Sequence, residues 1–332
     1  MDQVPGNGHS RFPVEILDLG YPQIIELPPP PPVRRRRRPW LAVVLFFLTL
    51  VSTLAVGSEF AQSYANNVEP FSGDENPFAV IVAPLQHPHL LLLGIPFSFT
   101  LLGFLMAHEM GHFIACKIYG IDVSYPYFLP SPSGFGTFGA FLRIRSPIAT
   151  RRALFDIGIA GPIAGFVIAT PLMAYGIAIS KIVPGAQDSS DLVFGIPPLM
   201  RIFIGMFHPG ADPTSILMHP VARAAWFGLF ATALNLLPVW QLDGGHILYS
   251  LVSKKHKEIS LAVSLGLIGL GIYLWHGWAL WGIVLLVLSL RFRHPPVYDR
   301  WEELNASRKL LAILAVAIFA LCFTVWPFNN LF

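Results

Sequence analysis

Of 332 residues, 54% are apolar and only 12% charged, and the mean hydropathy of +0.59 lies far from that of a soluble globular domain, which this composition excludes. The net charge of +3 and pI near 8.9 do not call for an anionic partner, because the positive residues sit in the loops between apolar runs. Cys116 and Cys322 are far apart and each lies inside an apolar run, so a disulfide framework or cysteine zinc cluster is not indicated and both read as small buried hydrophobes.

The expected fold class is an all-α polytopic membrane protein with about seven transmembrane helices and a short β-strand or hairpin. Residues 1–38 form a disordered Pro/Arg-rich tail ending in Pro28 to Pro32 and Arg34 to Arg38. Five arginines resemble a nucleic-acid patch, but directly before Trp40 they read as a cytoplasmic membrane flank, and no nucleic-acid partner is expected. Residues 39–84 hold the first span, Trp40 to Val56, and an outer loop; without a clean cleavage site before Glu59 the segment is read as a retained helix and not a signal peptide. A core over residues 85–250 contains the spans Leu90 to Tyr119, Ala153 to Ile179 and Val221 to Leu237. Residues 251–332 add Ile259 to Trp275, Trp278 to Leu290 and Lys309 to Trp326. With the amino terminus inside, only Lys181, Arg201 and Arg223 of the 22 Lys and Arg fall on the outer side, as the positive-inside rule requires.

Within the second span, residues 108–112 read His-Glu-Met-Gly-His. Four-residue spacing sets His108 and His112 on one helical face, where both imidazoles reach one Zn²⁺ at ~2.0–2.1 Å, with Glu109 beside it to take a proton from an activated water. Three ionisable groups inside an apolar helix need a partner, and a metal is the one this spacing supplies. Zinc asks for a third protein ligand. The stretch Asn235 to His246, Asn-Leu-Leu-Pro-Val-Trp-Gln-Leu-Asp-Gly-Gly-His, offers Asp243 on an irregular backbone, with Pro238 interrupting the helix and Gly244 and Gly245 permitting the turn. Both motifs reach the cytoplasmic side in this topology, Glu109 and its histidines ~27 Å along the axis from Leu90. His208, Asp212 and His219 fall on the opposite side, and His246 is a candidate to support Asp243.

Residues 134–146 alternate with period two. Phe138, Ala140, Leu142 and Ile144 are expected on one face and Arg143 and Arg145 on the other, as in a short strand that could pair with an unwound substrate. Gly136, Thr137, Phe138, Gly139, Ala140 and Phe141 are the candidate substrate-binding residues. Gly158, Gly161 and Gly165 beside Pro162 read as close helix packing.

HEMGH on one span and NLLPVWQLDGGH ending a later one resemble the site-2 protease family of intramembrane zinc metalloproteases, in its bacterial and plastid, EGY-like branch without large inserted domains. The stretches Gly136-Thr-Phe-Gly-Ala-Phe141 and Phe155-Asp-Ile-Gly-Ile-Ala-Gly-Pro-Ile-Ala-Gly-Phe166 are similar to the same family, and the likeness covers about residues 85–250. It implies one Zn²⁺ held by His108, His112 and Asp243, Glu109 as general base, and Asn235 hydrogen-bonded to the substrate carbonyl or oxyanion. It also implies single-span or other transmembrane protein substrates in the lipid bilayer and a multi-pass location, the inner membrane if the source is bacterial, with the site toward the cytoplasm. A prenyl-protein-type membrane protease, a metal transporter and a silent zinc-binding regulator are the rivals. The Leu-Asp-Gly-Gly turn and intact Glu109 count against them. Substrate identity and oligomeric state are not legible.

Overall fold

A computed structural model describes residues 39–70, 84, 86–132, 134–185, 193–292, 294, 295, 297 and 303–329; the expected Pro/Arg-rich tail lies outside them. The first helix, α1 (Pro39–Ala65), turns Trp40, Val44, Phe47 and Leu48 outward and buries Thr49, Ser52, Thr53 and Ser58. Its hydroxyls return bonds to the carbonyls a turn back, as from Thr49 Oγ1 to Leu45 O at 2.8 Å, so polar side chains cross an apolar layer without orphaned groups. After a 3₁₀ turn, Pro88–Gly94, comes α2 (Ile95–Ile118). Gly57 and Gly94 let α1 and that turn touch backbone to backbone, because a Cβ on Gly94 would stand 2.0 Å from Leu54 O. Thr53 Oγ1 and Ser98 Oγ share a buried hydrogen bond of 2.7 Å across the same contact.

Strands β1 (Tyr127–Pro130) and β2 (Thr137–Phe141) form an antiparallel hairpin packed on α1. α3 (Arg151–Ala178) starts at Thr150, whose side chain accepts from Ala153 N at 3.1 Å, and carries Pro162 and Pro171 internally. At the far end of α3 lie β3 (Lys181–Ile182), β4 (Val193–Phe194), the amphipathic α4 (Pro198–Phe207) and β5 (Ile216–Leu217). There β3 pairs with β5, and β4 pairs with β6 (Phe328–Asn329). α5 (Pro220–Asn235) is buried around Trp226 and packs on α2 and α3. A turn leads to the short α6 (Asp243–Val252), then to the hairpin of α7 (His256–Tyr273) and α8 (His276–Arg291), and α9 (Ala306–Cys322) closes on α3 and α5.

Each of the seven expected spans coincides with a helix, but three alone, Pro39–Ala65, Pro88–Ile118 and Arg151–Ala178, are long and apolar enough among the described residues to cross a membrane by length and composition. The fold is therefore a mostly helical integral membrane bundle with three candidate spans and three two-stranded sheets among the described residues. α5 is shortened to 16 residues because Pro238 disfavours helix at its predecessor and the chain leaves the helical path after Asn235. α4 and α6, of ten residues each, lie in stretches expected as loops.

Candidate metal centre

α2, α3 and α5 meet where α2 nears its carboxyl end, and there His108 and Glu109 are buried at 3% and 5% exposure. His108 Nε2 stands 3.2 Å from Asp243 Oδ2, His112 Nε2 stands 3.3 Å from Asp243 Oδ1, and the two imidazole nitrogens are 3.1 Å apart. Four ligands around a zinc at ~2.0–2.1 Å are separated by about 3.3 Å, so each of these separations suits two ligands of one zinc, with a different carboxylate oxygen of Asp243 facing each imidazole. The residues fit the metal in their chemistry too. Asp243 Oδ2 is buried without a hydrogen-bond partner, as a carboxylate oxygen reserved for a cation would be. Among the described residues this is the one group of three His, Cys, Asp or Glu side chains that could hold an ion.

The surroundings aim these donors. His112 Nδ1 donates to Ile157 O at 2.7 Å, which leaves the Nε2 lone pair for the metal. A Cβ on Gly161 would lie 2.1 Å from His112 Nε2, and one on Gly165 would lie 3.2 Å from His108 Nδ1, so α3 approaches the site as closely as it does because these positions have no side chain. Read from sequence as helix packing alone, Gly161 and Gly165 in fact pack against the metal-facing imidazoles. Gly158 does the same for the third ligand's helix, with His246 Cβ and Asp243 O 2.9 and 3.2 Å from its would-be Cβ.

Asp243 opens α6 and so is not on the bent backbone that Gly244 and Gly245 were expected to provide. The left-handed residue is Trp240, at φ 51°. Both glycines are helical and serve by absence: a Cβ on Gly244 would sit 2.1 Å from Leu236 O, and one on Gly245 would sit 2.4 Å from Trp240 O. They let the first turn of α6 press onto the carbonyls of the turn before it. Asn235, the last residue of α5, brings Nδ2 to 3.4 Å from His108 Nε2, beside the donor atoms.

β2 ends next to Glu109, whose carboxylate accepts a hydrogen bond from the Leu142 backbone N–H. Of the candidate substrate-binding residues, Thr137 Oγ1 donates to Leu129 O at 2.8 Å, and Phe138 and Phe141 are exposed at 73% and 46%. Ala140 packs against the main core, so Phe138 and Ala140 do not share the single packed face that period-two alternation suggested. The positive φ of Gly139, 99°, breaks the regular pleat between them. Leu142 and Ile144 leave the strand and join a small cluster with Ile121 and Val123. Gly136 is committed to α1, its carbonyl accepting from Ser52 Oγ at 2.6 Å.

His246 Nδ1 and His294 Nε2 share a hydrogen bond of 2.8 Å, and burial pulls these imidazoles down to about 4 and about 3, so both are neutral at pH 7. His294, from the segment after α8, carried no signal in the sequence. The residues expected on the opposite side have local duties: His208 Nε2 donates to Ile177 O at 2.7 Å, His219 accepts from Val221 N at the start of α5, and Asp212 accepts from Thr214 N.

Residues 96–272, more than half of the chain, match peptidase family M50. The chain is 30% identical over 304 residues to the probable zinc metalloprotease EGY1, chloroplastic, of Arabidopsis thaliana, an alignment covering 86% of this chain and 53% of that protein. It is 28% identical to the rice protein of the same name, covering 86% and 50%, and 26% identical to the probable zinc metalloprotease EGY2, chloroplastic, of Arabidopsis thaliana, covering 87% and 49%. The chain thus spans about half the length of the curated relatives it matches. With His108, His112 and Asp243 brought together inside the matched region, this chain is a member of peptidase family M50.

Proposed function

We propose that the chain is an intramembrane zinc metalloprotease that hydrolyses peptide bonds of single-span or other transmembrane protein substrates. The observation that carries this reading is the placement of Glu109, 5% exposed, next to three convergent donor atoms on a helix of membrane-spanning length. His108, His112 and Asp243 would hold Zn²⁺, which supplies Lewis-acid polarisation of a water and of the scissile carbonyl. Glu109 takes a proton from that water and returns it to the departing amine. Asn235 Nδ2 donates a hydrogen bond to the carbonyl oxygen as negative charge builds on it. Burial of the site beneath α3 and α5 restricts water, so the proton taken by Glu109 goes to the amine nitrogen and not to bulk solvent.

A helical substrate hides its amide in its own hydrogen bonds and must unwind before attack. Among the described residues β2 pairs with β1 alone, and it ends one residue before Leu142, whose N–H bonds Glu109, so a substrate segment pairing along Thr137–Phe141 would arrive beside the general base. Seven spans, an amino terminus in the cytoplasm and a site toward the cytoplasmic side complete the reading. The distribution of Lys and Arg supports them.

The test uses the full chain reconstituted in vesicles and its Glu109→Gln variant. The variant should retain one zinc per chain while cleavage falls by at least ~10³-fold, and it should trap single-span proteins during purification. Unchanged cleavage, or recovery of soluble partners alone, would count against the proposal.

A further inference from the structure

Beyond the metal centre, a second cavity lies behind the turn that delivers Asp243. It measures about 260 Å³ and is lined by residues of that turn, of α6 and of the α7–α8 hairpin. Trp240, Lys257, Ser260 and Ser289 are among its polar walls, together with the imidazoles of His256 and His294, and Tyr249 and Phe292 supply flat aromatic ones. Among the described residues no carboxylate lines it, and its one charged wall is the ammonium of Lys257.

Two of its walls end in hydrogen-bonding groups that find no partner. Ser289 is 7% exposed and its Oγ is buried and unbonded, and the Trp240 Nε1–H is likewise buried and unbonded. Groups of this kind are rare in folded proteins and mark places where an acceptor belongs. The 18-residue α7 begins at the same cavity, with no side chain capping its first turn. The positive end of its dipole thus lies at the end of the helix whose residues His256 and Lys257 line the cavity; Lys254 and Lys255 precede the helix, and Glu258, in the same first turn, is not among the lining residues. Two unsatisfied donors, an uncapped helix start, one ammonium and no carboxylate among the described lining residues describe a receptor for an oxyanion, and the volume admits a phosphate group with a small organic remainder against the aromatic walls.

We propose that this cavity binds a phosphate-bearing anion, either a free phosphate compound or the headgroup of an anionic lipid. Both backbone groups of Trp240 are already engaged at its wall, the N–H donating to Ser260 Oγ at 3.3 Å and the carbonyl accepting from His256 Nε2 at 3.2 Å. An anion held there contacts the residue three before Asp243 and so braces the turn that presents the third metal donor. The inference does not require that the chain be a protease.

Thermal unfolding of the full-length protein tests it. Inorganic phosphate is titrated at constant ionic strength against chloride in a zwitterionic detergent, and in a second arm the protein is placed in phosphatidylcholine nanodiscs with and without phosphatidylglycerol. A saturating ligand should raise Tm by about 2–4 °C. The rise should be lost in Lys257→Gln and reduced in Ser289→Ala; Lys257 is exposed and Ser289 Oγ bonds nothing, so neither change should lower the ligand-free Tm by more than about 1 °C. Stabilisation by inorganic phosphate identifies a free anion as the ligand, and stabilisation by phosphatidylglycerol alone identifies a lipid headgroup. No rise in either arm, or an equal rise in wild type and both variants, overturns the proposal.

Discussion

Charged groups are buried at both ends of the helix bundle, and the two ends treat them in opposite ways. Where α5 begins, Arg223 and Glu69, 1% and 3% exposed, face each other at 2.6 Å, and the Arg223 guanidinium also lies over the Phe60 and Phe194 rings. That pair balances its own charge, although Arg223 Nη1 has no hydrogen-bond partner among the described residues. Where α5 ends, His108, His112 and Asp243 bring three potential ligand atoms together, with no Lys or Arg paired to Asp243 among the described residues. A self-contained ion pair fixes structure, whereas a cluster of acceptors is complete only with a cation, and this incompleteness is what marks the second end as the working one.

Four measurements bear on that contrast. His112→Ala or Asp243→Ala should abolish zinc binding, taking metal content from one per chain to none by elemental analysis, while the metal-free Tm changes little. Glu69→Ala should leave zinc content untouched and cost about 3–5 kcal/mol in stability by stranding the buried guanidinium, whereas Glu69→Leu combined with Arg223→Met should recover most of that loss. A smaller effect concerns pH. His246 and His294 titrate lower in the folded chain than unfolded, so the unfolded state binds more protons and stability is lost as pH falls through about 6.5 toward 4. In chelator-treated protein that slope should flatten in His294→Gln. The smallest change is expected at Arg308, which donates to Asp156 from two nitrogens at 2.6 and 2.9 Å and ties α9 to α3 at a partly exposed site. Arg308→Gln should cost about 1 kcal/mol by thermal unfolding, without altering zinc content.

The three candidate donors that the structure brings together were legible because spacing is a local property. His108 and His112 announce a shared helical face, and Pro238 with Gly244 and Gly245 announces a break near Asp243. What the sequence concealed depends on which surfaces meet. Gly161 and Gly165 look like any small residues in an apolar helix until the imidazoles of another helix are found against them. His294 is separated from His246 by a whole hairpin. The left-handed residue of the turn is Trp240 and not one of the glycines, a choice made by tertiary contacts on its backbone and opposed to local preference. Hydropathy likewise located the apolar segments but not their lengths, since α5 stops at Asn235 for the sake of the turn.

His112 and Asp243 are separated by about 130 residues of chain, and they belong to α2 and α6, which share no covalent neighbour. An ion that ligates both acts as a reversible cross-link and closes a long loop, as a disulfide does elsewhere. Stripping the metal should therefore do more than silence chemistry: it removes the tie between α6 and α2, leaving α6 held by its packing on α3, and proteolytic nicking should then find the turn before α6 more readily.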